Sequence, residues 1–268
     1  KIRVIRYTNT QILNNSKEVL KDLLKKIKCC ISTDEEKQNG EFPPDKGDKR
    51  GFKDSGVKWI GEIPEGWEVK KLKTIGKIVL GKMLTNEDKG NYELKPYLRA
   101  QNILWEVVDF SDVKYMWFSK SELKQYRLKK SDLLISEGGE AGRTAIWNGE
   151  LSECYIQNSV HKITLNNQNS SRYILYLFEA YGEKGVFESV VSRVSIAHLT
   201  REKVKEIYCI IPPKSEQLQI AQYLDKATSK IDKTINLIQN KITLLQEYKK
   251  SLIHYVVTGK VDVREIKI

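Results

Sequence analysis

SEQLQIAQYLDKATSKIDKTINLIQNKITLLQEYKKSLIHYVV, residues 215–257, holds no proline and no glycine, and its apolar residues recur every three and four positions. With a heptad begun at Ala221, the a and d positions are Ala221, Leu224, Thr228, Ile231, Ile235, Ile238, Ile242, Leu245, Lys249, Leu252 and Val256. Nine of these eleven are apolar, where a composition of 40% hydrophobic residues would give about four. A repeat sustained over five heptads is the pattern of a helix that lies against another helix. At ~1.5 Å per residue it runs on the order of 60 Å, longer than a compact domain needs. It reads as a coiled-coil spacer, with Leu224, Ile231, Ile235, Ile238, Ile242, Leu245 and Leu252 as its helix-pairing residues. The plainer reading is a long amphipathic helix lying on its own domain, and the length of the repeat argues against it.

The ends of this helix are marked. Pro212 and Pro213 block helix before it, Ser215 is the expected N-cap, and Glu216 places negative charge in the first turn. Lys249 and Lys250 lie near the end, and Gly259 suits the stop. Tyr248, Ile253 and Tyr255 flank the seam there, so the apolar face widens toward a second packing partner.

Working outward, the chain has 268 residues, enough for one or two domains with a proper core. It carries 46 Lys plus Arg against 35 Asp plus Glu, a net +11. That excess fits a polyanionic partner, nucleic acid first and an acidic membrane surface second. Cys29, Cys30, Cys154 and Cys209 form no C-x-x-C pair and read as reduced thiols of a cytoplasmic protein. No apolar run approaches the ~18 residues of a membrane span, and no signal peptide is visible. The chain begins with Lys1 rather than Met, which leaves room for sequence upstream.

Residues 1–27 read as a strand and a short helix, too little to bury a core alone. Residues 28–52 are polar and rich in turn formers, and read as a flexible linker. Residues 53–213 form the main globular unit. "WIGEIPEGWEVKKL" predicts a turn and a strand beginning at Trp67; "IGKIVLGK", "KPYLRAQNIL" and "YIQNSVHKITL" predict further strands. "SDLLISEGGEAGRTAIW" predicts two strands joined by a glycine-rich turn. "SKSELKQYRL" and "SSRYILYLFEAYG" predict helices capped by Ser119 or Ser121 and by Ser170 or Ser171. The sum is an α+β fold, a mixed domain followed by the long helix of residues 214–258 and a short tail, 259–268. The five tryptophans read as core or rim packing.

Catalytic equipment is sparse. "GGEAGRT" departs from the phosphate-binding loop: Glu137 stands five residues before Gly142 where that loop has its first glycine, and Arg143 replaces the lysine. A tight hairpin is the better reading, and a hairpin that presents Arg143 to nucleic acid is compatible with it. The triplets Glu93–Lys95 and Glu122–Lys124, with Asp109 and Asp112 upstream of the second, have a spacing compatible with a metal-dependent nuclease. Such triplets arise often by chance in a chain with 30% charged residues. His161, His198 and His254 are too scattered to argue for a metal site. Binding equipment is richer: Arg99, Gln101 and Asn102 at a strand end, Arg143 on the glycine turn, Gln157 and Asn158 on a polar edge, and Arg193 with Ser195 before "IAHLT". Arginine can pair with guanine, and asparagine or glutamine with adenine, through two hydrogen bonds each in the major groove. Lys70–Lys71 and Lys129–Lys130 would serve phosphates.

Two resemblances add to this reading. "RVIRYTNTQILNNSKEVLKDLLKKI" resembles the C-terminal end of small restriction-endonuclease-like domains, without the upstream part that carries their catalytic carboxylates, so no nuclease activity is transferred. "KDSGVKWIGEIPEGWEVKKL", "YLRAQNI", "DLLISEGGEAGRTAIW", "NSVHKI", "AHLTREKVKEIYCIIPPKSEQLQIAQYLDKATSKIDKTI" and "SLIHYVVTGKVDVRE" together resemble the specificity subunit of type I restriction–modification systems. The segment from Ile211 through Asp232 is the most specific part of the match. The resemblance implies a non-catalytic target recognition domain that reads double-stranded DNA. It implies a spacer helix that also docks a methyltransferase subunit and, through the complex, an endonuclease and translocase. No cofactor is implied for this chain; S-adenosylmethionine, ATP and Mg²⁺ would be bound by partner subunits. Members usually carry two recognition domains and two spacers, whereas this chain has one of each. It is therefore half of a longer product, or it pairs with a second specificity half or as a homodimer. A coiled-coil scaffold protein without sequence readout, and a metal-dependent nuclease, are the competing classes.

Overall fold

A computed structural model of the chain describes residues 51–187 and 198–264. The strand–helix reading of 1–27 and nearly all of the linker lie outside the described residues.

The described chain opens on a small antiparallel hairpin, β1 (Phe52–Asp54) with β2 (Glu62–Pro64). It continues through β3 (Glu68–Lys71), a single helical turn α1 (Leu72–Ile75), β4 (Gly76–Leu80) and β5 (Glu93–Leu98). A 3₁₀ turn at Ala100–Asn102 leads to β6 (Lys114–Phe118), α2 (Lys120–Tyr126), β7 (Leu133–Ser136) and β8 (Thr144–Ile146). Then come β9 (Tyr155–Ile156), β10 (Val160–Leu165), α3 (Ser171–Glu183), α4 (Arg201–Glu206), β11 (Tyr208–Ile211) and α5 (Lys214–Val257). The α+β expectation holds.

The centre is a four-stranded antiparallel sheet in the order β4-β10-β7-β8. All four residues of β7 are buried. Because side chains alternate across a strand, Leu133 and Ile135 enter one core with Leu72, Ile75, Ile174 and Phe178, while Leu134 enters another with Leu98, Ala145, Trp147 and Ile156. A three-stranded sheet, β6-β5-β9, packs a smaller cluster of Tyr97, Met116, Phe118 and Tyr155. Of the tryptophans, Trp147 is buried, and Trp59 is exposed with its ring edge-on to Tyr181 at 5.0 Å.

Local chemistry sets the helix starts. Ser119 and Glu122 form a capping box at α2: the Ser119 Oγ accepts from the Glu122 N–H, and the Ser119 N–H donates to Glu122 Oε2 at 2.8 Å. Ser170 caps α3 by accepting from the Tyr173 N–H. At α5 the expectation for Ser215 is corrected. The helix begins at Lys214 with Pro213 in the cap position and no side-chain cap bond, since proline pre-sets φ for entry and the helix needs no donor there.

β11 runs antiparallel to β3, joining residues about 140 positions apart and delivering the chain to α5. The first turns of α5 belong to the head. Ala221 is buried in the main core, and Gln217 is buried with its Oε1 accepting from the Ser170 N–H and its Nε2 donating to Pro212 O, both at 2.9 Å. Trp67 Nε1 donates to Glu216 at 3.0 Å. Arg172 of α3 bonds Asp225 at 2.6 Å and lies over the Tyr176 ring, and the Tyr176 hydroxyl donates to the same carboxylate at 2.8 Å. Leu224 is half-buried at this junction, and beyond Thr228 the helix is largely solvent-exposed on every side. It ends as expected at Gly259, whose φ of +72° supports the paired bonds Gly259 N to Val256 O and Lys260 N to Tyr255 O.

Candidate nucleic-acid interface

At one edge of the central sheet three segments meet: the β7–β8 hairpin, the turn after β5, and residues 157–159 between β9 and β10. The hairpin is positioned by glycine. Gly142 has φ of +95°, and a Cβ there would come within 2.4 Å of the Phe187 ring, so no other residue fits without displacing that ring. Arg143 follows on this pivot, and its guanidinium donates to Ala100 O at 3.1 Å, bridging the hairpin to the β5 turn.

That turn is fixed from inside. Asn102 is 2% exposed; its Oδ1 accepts from the Arg99 N–H, and its Nδ2 donates to the carbonyls of Asp109 and Asp112. Unlike the other candidates nearby, Asn102 has every polar atom of its side chain bonded within the loop that it shapes. Residues 157–159 are pinned between neighbours. The Gln157 N–H donates to Leu98 O and the Asn158 N–H to Lys82 O, both at 2.9 Å, and Ser159 Oγ accepts from the Ala100 N–H at 3.1 Å. Gly81 permits this approach, since a Cβ there would lie 2.2 Å from Gln157 O.

The three segments enclose an open cleft of about 570 Å³. Arg99, Gln101, Arg143, Gln157 and Asn158, five of the eight residues singled out from the sequence, line it together. Arg193 and Ser195 lie outside the described residues. The arginines are held but not saturated. Arg99 donates to the carbonyl and carboxylate of Asp112, each at 2.8 Å, and the Gln101 amide, turned with its oxygen toward Arg99, accepts at 2.6 Å. The Nε atoms of Arg99 and Arg143 are buried without a protein partner among the described residues. Lys114 first, and then Arg99, hold the Asp112 carboxyl below the usual carboxylate range.

Ala100, Glu137, Gly138, Gly139, Ser159 and His198 complete the lining, and the sequence reading missed Glu137 and His198 as members of the site. Burial pushes the Glu137 carboxyl up, and His198 pulls it back. The only signal available for Glu137 was its place at the mouth of the glycine turn. Lys70 and Lys71 stand away from this cleft and are engaged by Glu68 and Glu206. Among the described residues no cluster of His, Cys, Asp or Glu could hold a metal ion, and no helix is long and apolar enough to cross a membrane.

Comparison with known proteins agrees with this architecture. A family model for the type I restriction modification DNA specificity domain matches residues 64–245, from the head into the exposed part of α5. The MjaX type I restriction enzyme specificity subunit of Methanocaldococcus jannaschii is 29% identical over 209 residues, covering 74% of this chain and 47% of that protein. The EcoKI specificity subunit of Escherichia coli is 23% identical over 207 residues, covering 74% of this chain and 44% of the relative. The chain thus spans about half the length of the curated relatives it matches. A structure solved in work on assembly and conformational transition of the type I R-M system superposes with a TM-score of 0.57 at 16% identity, over 76% of this chain and 48% of its own. That likeness concerns the fold. With the family match covering the head and more than half of the long helix, the chain belongs to the type I restriction modification DNA specificity domain family.

Proposed function

We propose that the chain is a non-catalytic DNA-specificity subunit of a type I restriction–modification assembly, with the head reading bases in double-stranded DNA and α5 setting the distance to a second head. The observation that carries the reading is the convergence of Arg99, Gln101, Arg143, Gln157 and Asn158 in one open cleft. Arginine and amide side chains supply the two-point hydrogen bonds that separate one base pair from another in the major groove. A net charge of +11 supplies attraction to the phosphates without sequence preference.

The rod gives the reading its geometry. From Ile231 to Val257 its exposed length is roughly 40 Å at 1.5 Å per residue, a little more than one turn of B-DNA. Two copies with antiparallel helices would put two heads at opposite ends of the pair. The symmetry of that arrangement makes the target an interrupted palindrome. A second, different specificity half in place of the copy would give two unlike half-sites. An adenine methyltransferase subunit, and through it an endonuclease and translocase, would dock on the rod and bring S-adenosylmethionine, ATP and Mg²⁺. Methylation mapping of host DNA with and without this gene tests the proposal. The expected result is loss of methylation at one bipartite motif on deletion. An unchanged methylation pattern, in a host whose partner methyltransferase is active, would overturn it.

A further inference from the structure

Glu137 is out of place for a phosphate-binding surface. It is the one carboxylate among the described residues lining the cleft, and it shares that lining with Arg99 and Arg143. An acid there repels the phosphates that the surrounding charge attracts, so it weakens binding to every sequence unless it gains a specific donor. Its backbone is clamped on both sides. The Glu137 N–H donates to Ser159 O, and Glu137 O accepts from the Leu199 N–H, both at 2.9 Å. The carboxylate itself has no hydrogen bond or ion pair with a described residue. Glu140, three residues on, is held by Trp105 Nε1, and Glu122 by Lys82. Glu137 is thus partly desolvated and fixed in place, with the charge of His198 acting on it but no donor bonded to it among the described residues, which is the state of a group prepared to accept a hydrogen bond from a ligand.

We infer that Glu137 is a specificity-determining residue, whose carboxylate accepts a hydrogen bond from the exocyclic amine of a base, cytosine N4 or adenine N6, entering the cleft beside Arg143. The inference rests on the DNA-specificity reading and deepens it. Cytosine N4 is the amine a carboxylate reads in the major groove, and its partner guanine presents the O6 and N7 acceptors that an arginine reads. Arg143 and Glu137 therefore suit the two bases of one G·C pair. Adenine N6 would instead leave N7 to a neighbouring amide, Gln157 or Asn158.

The test uses the full chain, the target motif from methylation mapping, and duplexes carrying each base pair in turn at each position. Glu137→Gln and Glu137→Ala avoid the core, because no side-chain bond with a described residue is lost. The expected result is that both variants bind random duplex as well as wild type or better, while discrimination at one base pair falls about ten- to a hundredfold. Glu137→Gln should move the preference at that pair toward adenine if the wild-type base is cytosine, because glutamine reads N6 and N7. Unchanged discrimination at every position, with uniformly tighter binding, would overturn the inference and leave only repulsion of phosphate. A wild-type chain that binds all duplexes alike would overturn the DNA-specificity reading itself, and with it this one.

Discussion

In the head, Leu133, Leu134 and Ile135 lie at 0% exposure between two layers of side chains; along α5, Ile231, Ile235 and Leu245 are 53%, 56% and 58% exposed. The residue types are the same and the driving force per unit of apolar area is the same. What differs is whether the chain supplies the other side of the contact. The head supplies it: strands, helices and the first turns of α5 close a complete core. Among the described residues the rod has no such surface against it, and its apolar residues keep the heptad spacing of helices that pair. The division falls within α5, after the Arg172–Asp225 ion pair, and not at the proline pair that precedes it. A helix continuous across that division ties the direction of the exposed rod to the head.

Substitutions on the two sides should therefore fail in different ways. The largest effect is expected from Ile231→Asp with Ile238→Asp. Association through the rod should be lost, at least a hundredfold in affinity by sedimentation velocity, because each buried aliphatic side chain contributes about 1.5–3 kcal/mol. The melting temperature of the head should stay put. Retained association would erase the contrast between head and rod.

Leucine compared with leucine comes next. Leu134→Ala should cost about 2–5 kcal/mol in urea unfolding through a cavity in a closed core. Leu237→Ala, 69% exposed, should stay within about 0.5 kcal/mol. Equal losses would mean that the rod is packed on its own head.

A pH series sharpens the head side. His161 is fully buried, with Nε2 donating to Leu199 O at 2.7 Å and no described partner for Nδ1, and burial lowers its pKa to about 4. The unfolded chain binds that proton near pH 6.5, so the stability held by neutral His161 is whole above pH 6.5 and drains away as pH falls toward 4. Roughly 2 kcal/mol should be lost between pH 7 and pH 5. His161→Gln should flatten that slope, and a slope unchanged by the substitution would assign the acid sensitivity elsewhere.

The last comparison is made at the cleft. Arg143→Ala should weaken binding to the target duplex by about 1–3 kcal/mol and leave random duplex little changed. Equal losses on both would make Arg143 a phosphate contact.

The rod was legible because a heptad repeat is a long-range regularity written into short-range spacing, and Ser119 and Ser170 were legible because capping is decided within four residues. The hairpin around Gly142 could be read from its glycines. β11 escaped because its partner β3 is distant in sequence. The burial of Asn102 was hidden for a related reason: an asparagine that shapes a loop and one offered at the surface look alike in sequence. The cleft drew together residues as far apart as Arg99 and Asn158, and their types hinted at a common task, but only the fold gives them one wall.

Selection of bound duplexes from a randomised library by the purified chain tests head and rod together. The account predicts enrichment of one base motif in two copies, inverted and separated by a fixed gap on the order of one turn of DNA. Recovery of library sequences without any enriched motif would contradict it.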